Sequence, residues 1–234
     1  MKQEFIHIDF MDNLLKGPSM SKHDKPTKLM VMLHGYGDNA ANFLHLADPI
    51  DLDEWGMHYI SLNAPNIIIG NLMGYQWFNL YPGGVYIAEA GPEEYKEVNN
   101  EIELAVLKLK ETIKFYLEQL KLTFSDCFVM GFSQGGIITF ELARRMDNAL
   151  SGIGILSGRI IQKEEKTNKL LQKTPIFISH GNQDDVLPVF NFDKSIQYLK
   201  SKNYEFESHL IDGDTHTISP NTIKLFQKFI KKNI

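Results

Sequence analysis

Short apolar runs rich in β-branched and aromatic residues recur along this chain, separated from stretches of helical spacing by Gly, Asp, Asn and Pro turns. Such runs predict strands at residues 5–10, 28–33, 58–62, 128–131, 152–156, 176–179 and 205–211. Strands joined through helices imply a mainly parallel central sheet flanked by helices, an α/β fold, because parallel neighbours need a long crossover. The clearest helix follows Pro92, where Val98, Ile102, Ala105, Leu109, Ile113, Leu117 and Leu120 fall three or four apart and form one apolar stripe. Near the C-terminus Ser219 and Pro220 are an N-cap and first-turn pair, and Ile223, Phe226, Phe229 and Ile230 supply the buried face behind them. Two regions break the pattern. Residues 17–27 read as a polar connector, and residues 63–91 as a long loop carrying Tyr75, Trp77, Phe78, Tyr81 and Tyr86. So much aromatic surface argues against disorder and for a functional loop.

At 234 residues with 43% hydrophobic positions, the chain fits a single domain over 1–234 that builds its core without disulfides. A formal net charge of -5 argues against a nucleic-acid partner, since phosphate backbones are bound by clustered Lys and Arg. The lysines of residues 228–232 fall on the last predicted helix and read as a solvated face. Cys127 is the only cysteine, Met1-Lys2-Gln3-Glu4 opens no apolar signal segment, and no run reaches the roughly 18–20 apolar residues of a bilayer span. The expectation is a cytoplasmic protein with no integral membrane segment. There is no His-Glu-x-x-His, and the eight histidines are scattered, so neither a metal nor a cofactor is expected.

The candidate chemistry lies in Gly131-Phe132-Ser133-Gln134-Gly135-Gly136. The apolar strand 128–130 runs into it and a buried helix resumes at Ile137-Ile138-Thr139-Phe140. A serine on a sharp strand-to-helix turn is strained, and glycines two before and two after it let the flanking elements approach. Ser133 is therefore the candidate nucleophile.

A serine needs a histidine to take its proton and a carboxylate to orient that histidine, in chain order Ser, acid, His for this kind of turn. Of the downstream histidines, His180 ends a strand and His209 sits inside one, so both read as structural. His216 lies in the segment between the last strand and the capped final helix, where a mobile base belongs. For the acid, Asp184 and Asp185 both follow the strand 176–179, on the carboxyl edge of the sheet. Asp212 and Asp214 read as turn residues. The oxyanion of the intermediate needs two N–H donors: the backbone of Gln134, and Tyr36 in the loop His34-Gly35-Tyr36-Gly37-Asp38.

That loop also supports a rival. Gly35-x-Gly37-x-x-Ala40 matches the dinucleotide-binding pattern, which would make the protein an oxidoreductase. The rival requires an acidic residue at the end of the next strand, and the chain has Asn63 there. A hydrolase-like binding protein without chemistry would be marked by a broken triad, and none of the three positions is broken.

Gly-Phe-Ser-Gln-Gly-Gly, Leu33-His34-Gly35-Tyr36-Gly37-Asp38, Gln76-Trp77-Phe78, Leu156-Ser157-Gly158-Arg159, the acid turn from His180 to Pro188 and the late His216 together resemble the phospholipase/carboxylesterase family of α/β-hydrolases, which includes acyl-protein thioesterases. The resemblance implies an α/β-hydrolase fold and a Ser133, Asp184 and His216 triad, with Tyr36 and Gln134 as oxyanion donors. It selects Asp184 over Asp185 because the family's acid follows His-Gly at that spacing. It also implies carboxylic esters, acyl thioesters or lysophospholipids as small-molecule substrates, and acylated proteins as partners. Residues 67–73 and Trp77 are expected to line an acyl groove, with Met73, Trp77 and Val186 as substrate-binding positions. The chain departs from the family in having Asp185 where Pro is frequent, Asp214-Thr215 ahead of His216, and a longer segment at 70–91.

Overall fold

The structure is a computed structural model that describes residues 14–52, 55–68, 70–87, 89–161 and 169–234, without the side chains of 71–73. The strand predicted at 5–10 lies outside the described residues. In chain order the elements are β1 (Ser19–Ser21), β2 (Lys28–Leu33), α1 (Ala40–Leu44), α2 (Ala47–Ile50), β3 (Met57–Leu62), β4 (Asn66–Ile68), β5 (Asn71–Gln76), α3 (Pro92–Leu120), β6 (Cys127–Phe132), α4 (Gln134–Ala143), β7 (Gly152–Leu156), β8 (Ile176–Gly181), α5 (Phe190–Ser201), β9 (Phe206–Ile211) and α6 (Pro220–Asn233).

Seven strands form one sheet in the order β1-β3-β2-β6-β7-β8-β9. All neighbours are parallel except β1, which pairs antiparallel with β3. The inner strands are apolar at almost every position because helices cover both faces. On one face α3, α4 and α5 bury Ile102, Leu109, Ile138, Phe140 and Leu199. On the other, α1, α2 and α6 bury Phe43, Ile50, Phe226 and Phe229 against Met30, Phe128 and Phe177. Ser219 caps α6 as expected, its side chain accepting from the N–H of Thr222. Among the described residues no helix is long and apolar enough to cross a membrane.

Strand order reverses at β2, with β3 on one side and β6 on the other. The loops leaving the carboxyl ends of β2 and β6 therefore diverge around a crevice, the usual ligand position in an open parallel sheet. Those are the loops that carry Tyr36 and Ser133.

Two regions differ from the sequence expectation. The connector 17–27 contains β1, whose Ser19, Met20 and Ser21 pair with Ile60, Tyr59 and His58. An exposed edge strand needs no apolar alternation, so it reads as loop. Within 63–91, β4 and β5 form an antiparallel hairpin with an irregularity between Ile67 and Ile68. The turn carries Gly70 at φ 87.

Candidate active site

Strand β6 ends at Phe132 and α4 begins at Gln134, leaving Ser133 to make the whole reversal at φ 53 and ψ -114. Such a backbone costs about 1–3 kcal/mol in a non-glycine residue and persists only where its surroundings enforce it. Here the Ser133 N–H donates to Leu156 O at 2.9 Å and the Ile137 N–H to Ser133 O at 3.1 Å. The flanking glycines are required by contact: a Cβ on Gly131 would lie 2.2 Å from Gly135 O, and one on Gly135 2.1 Å from Leu33 O. The turn lifts the Ser133 hydroxyl over the sheet edge.

Two further loops converge on it. His216, between β9 and α6, lies with Nε2 2.9 Å from Ser133 Oγ and Nδ1 2.7 Å from Asp184 Oδ2. An ionised Asp184 requires the proton on Nδ1, which leaves Nε2 to accept from the serine hydroxyl. Asp184 follows β8 and is buried; its Oδ1 accepts from the N–H groups of Val186 at 3.0 Å and Leu187 at 2.7 Å. The His216 ring rests against Phe132, with centroids 4.8 Å apart. Asp185 lines the cleft beside Ser133, and neither Asp212 nor Asp214 reaches His216 in the described hydrogen bonds. Asp212 accepts from Asn182 Nδ2 at 2.7 Å instead.

His180 is more closely tied to this chain than the sequence suggests. Fully buried in β8, it donates Nε2–H to Leu187 O at 2.7 Å, with the same nitrogen 3.3 Å from Asp184 Oδ2. Burial pushes its pKa down, which keeps it neutral beside the acid. The only sequence signal for this was its position four residues before Asp184. His209 packs at a tilt against Phe177, with centroids 5.2 Å apart, and takes no part in this hydrogen-bonded chain.

The β2 loop is fixed by its own histidine. His34 donates Nδ1–H to Gly35 O at 2.7 Å and accepts from the Ala64 N–H at Nε2, 3.1 Å. Burial lowers its pKa, in keeping with a ring that must accept at Nε2. In a trans peptide C=O and N–H point opposite ways, so anchoring Gly35 O sets the direction of the Tyr36 N–H. The loop lies against the serine: a Cβ on Gly35 would be 3.5 Å from Ser133 Cβ. Gln134 opens α4, so its N–H has no acceptor within the helix.

The Gln134 side chain has a role the sequence did not reveal. It is buried, accepts from the Trp77 N–H at Oε1 (2.9 Å) and donates to Phe78 O from Nε2 (2.7 Å). It thereby clamps the segment after β5 to the serine turn.

A cleft of about 400 Å³ opens over Ser133, walled by Phe78, Leu80, Ile87, Ile137, Leu187 and Phe190, with Tyr36, Tyr86, Arg159, Asp185 and Val186 also lining it. Val186 is thus on the wall. Trp77 is not: it is 0% exposed and its Nε1–H is spent on His34 O at 2.9 Å. It supports the cleft from behind, and Phe78 takes the lining position expected of it. The side chain of Met73 lies outside the described residues. Exposed Ile67, on the β4–β5 hairpin, is not among the residues lining the cleft.

Comparison with known proteins places the fold in a family. The sequence pattern of the phospholipase/carboxylesterase family matches residues 19–234. A protein of Debaryomyces hansenii named acyl-protein thioesterase 1 is 28% identical, over 94% of this chain and 97% of that protein. Its namesake in Saccharomyces cerevisiae is 26% identical, over 88% and 92%. Among solved structures, the fold is similar to that of esterase PE8, at 24% identity and a TM-score of 0.79 over 94% of this chain and all of that one. It is also similar to a Bacillus cereus carboxylesterase at 18% identity and a TM-score of 0.77, over 97% of this chain and 99% of that one. With the parallel sheet, the strained serine turn and a family match over nearly its whole length, this chain belongs to the phospholipase/carboxylesterase family of α/β-hydrolases.

Proposed function

We propose that Ser133, His216 and Asp184 are the catalytic triad of a carboxylic ester hydrolase acting on esters, acyl thioesters or lysophospholipids through an acyl-enzyme. The observation that carries this is the unbroken chain Asp184 Oδ2···Nδ1 His216 Nε2···Oγ Ser133, at 2.7 and 2.9 Å. Ser133 Oγ attacks the acyl carbonyl as its proton passes to His216 Nε2, and buried Asp184 stabilises the imidazolium. The N–H groups of Tyr36 and Gln134 hold the oxyanion. Collapse breaks the bond to the leaving oxygen or sulfur, which takes the proton from His216. Water repeats the sequence on the acyl-enzyme and releases the acid.

The largely apolar cleft walls suit an acyl chain. The relatives named acyl-protein thioesterase support thioesters, and acylated proteins, as substrates. A cytoplasmic site of action is the reading carried forward from the sequence, in which Cys127, a buried free thiol in β6, has no second cysteine to pair with. A fluorophosphonate that phosphonylates serine nucleophiles, followed by peptide mapping, tests the reading. The label should fall on Ser133, and Ser133→Ala should lose labelling and at least about 10³-fold of its turnover on 4-nitrophenyl esters. An alanine variant as active as the parent refutes it.

A further inference from the structure

A second cavity, of about 350 Å³, adjoins the cleft over Ser133 and shares with it Ile87, Arg159, Phe190 and Asn191. Its other walls include Asn99, Tyr95 and Lys194. Arg159 therefore stands where the catalytic cleft passes into a more polar chamber.

Its position is built. In the segment after β7, the Ser157 N–H donates to Ser179 O at 2.9 Å and the Ile160 N–H to Ser195 Oγ at 2.9 Å. Ser195 Oγ donates in turn to Asn191 O at 2.7 Å. Asn191, 6% exposed, donates Nδ2–H to Pro188 O at 3.0 Å, which turns its Oδ1 toward Arg159 Nη1 at 3.4 Å. That contact is the guanidinium's hydrogen bond among the described residues, and no described carboxylate forms an ion pair with it. Arg144 and Arg145, by contrast, both pair with buried Glu141. A guanidinium carries five N–H donors in a planar fork that matches a carboxylate or phosphate. Holding one half-buried on a cavity wall without a carboxylate partner among the described residues leaves most of that capacity directed at a ligand.

Resting on the hydrolase reading above, we infer that Arg159 is a specificity-determining residue that binds an anionic group, a carboxylate or phosphate, separated from the scissile carbonyl by an apolar stretch. Phe78, Ile87, Ile137 and Leu187 line the path from Ser133 and supply that stretch. Lys194, whose ammonium sits 5.0 Å from the Phe190 ring, also lines the second chamber. Asp185 lines the same cleft and disfavours an anion beside its own carboxylate, so selection falls on substrates whose anion reaches Arg159 instead.

The anion can sit on the acyl end or on the leaving group, and two arms distinguish these. One compares the 4-nitrophenyl half-ester of suberic acid with 4-nitrophenyl octanoate. The other compares S-acetyl 8-mercaptooctanoate with S-acetyl octanethiol, read by released thiol. In one arm the anionic substrate should lead by about tenfold or more in kcat/KM, chiefly through KM, as charged hydrogen bonds predict. Arg159→Gln should bring that ratio near one, Arg159→Lys should keep part of it, and Asp185→Asn should raise it. Ratios within about twofold in both arms, or a ratio that Arg159→Gln does not move, overturn the inference. Should Arg159→Gln fail to fold, the parent's ratio must still fall between about 0.05 and about 0.5 M NaCl as the pair is screened, and a salt-independent ratio overturns it. Failure of the hydrolase reading looks different: no substrate turns over, no fluorophosphonate label appears, and the inference falls with it.

Discussion

Gln134→Leu separates the side chain's structural role from the backbone's proposed catalytic one. The substitution keeps the N–H at the start of α4 and the approximate volume, but removes the acceptor for the Trp77 N–H and the donor to Phe78 O. Both partners lie in buried residues, so each is left unpaired at about 1–3 kcal/mol. Together that is about 2–6 kcal/mol, less a fraction regained by burying an apolar side chain, set against a total stability of about 5–15 kcal/mol. Thermal or urea unfolding should show a loss of at least about 2 kcal/mol, equivalent to roughly 4–8 °C in Tm for a chain of this size. The more specific measurement is hydrogen exchange at the Trp77 amide, which should lose protection well beyond the global change because its only acceptor is gone. A Gln134→Leu protein as stable as the parent, with Trp77 still protected, refutes the clamp.

Ser133→Gly should be more stable than Ser133→Ala by about 1 kcal/mol in urea unfolding, because glycine occupies φ 53 without strain and alanine does not; equal midpoints show that the turn stores none. Stability should also fall on acidification below about pH 6.5, the unfolded histidine value. His34 and His180 have lowered pKa values through burial, so below 6.5 the unfolded chain takes up protons that the folded one refuses, and unfolding is favoured until the folded values are passed. Melting across pH 5–8 checks this, with His180→Gln flattening part of the slope; a flat profile in the parent contradicts the buried neutral assignment.

The central strands were legible because both faces of β2, β6, β7 and β8 are covered, which makes them continuous apolar runs. The site residues were legible because each follows a strand whose end the turn residues mark, in a chain order that such turns impose. What stayed hidden depends on contacts far apart in sequence. Trp77 is as apolar as a lining residue, and only its bond to His34 O, 43 positions away, turns it inward. Gln134 reads as the residue after a nucleophile, and its side-chain partners lie 56 and 57 positions upstream. His180 reads as the end of a strand, although its Leu187 partner lies within the acid turn. β1 has too little apolar character to stand out at a sheet edge.

Ser133 leaves β6, Asp184 leaves β8 and His216 leaves β9, so the hydrogen-bonded chain closes over sequence separations of 83 and 32 residues. The three side chains can therefore meet only after β9 and the loop beyond it have been synthesised, because that loop is held by the turns after β7 and β8, with Gln183 N–H donating to Asp214 O at 2.9 Å and Ser157 Oγ to Thr217 O at 3.4 Å. Parallel pairing of this kind is slow and non-local. Turnover of a chromogenic ester would thus report on completed folding rather than on any autonomous fragment, and would register late steps of maturation that secondary-structure signals miss.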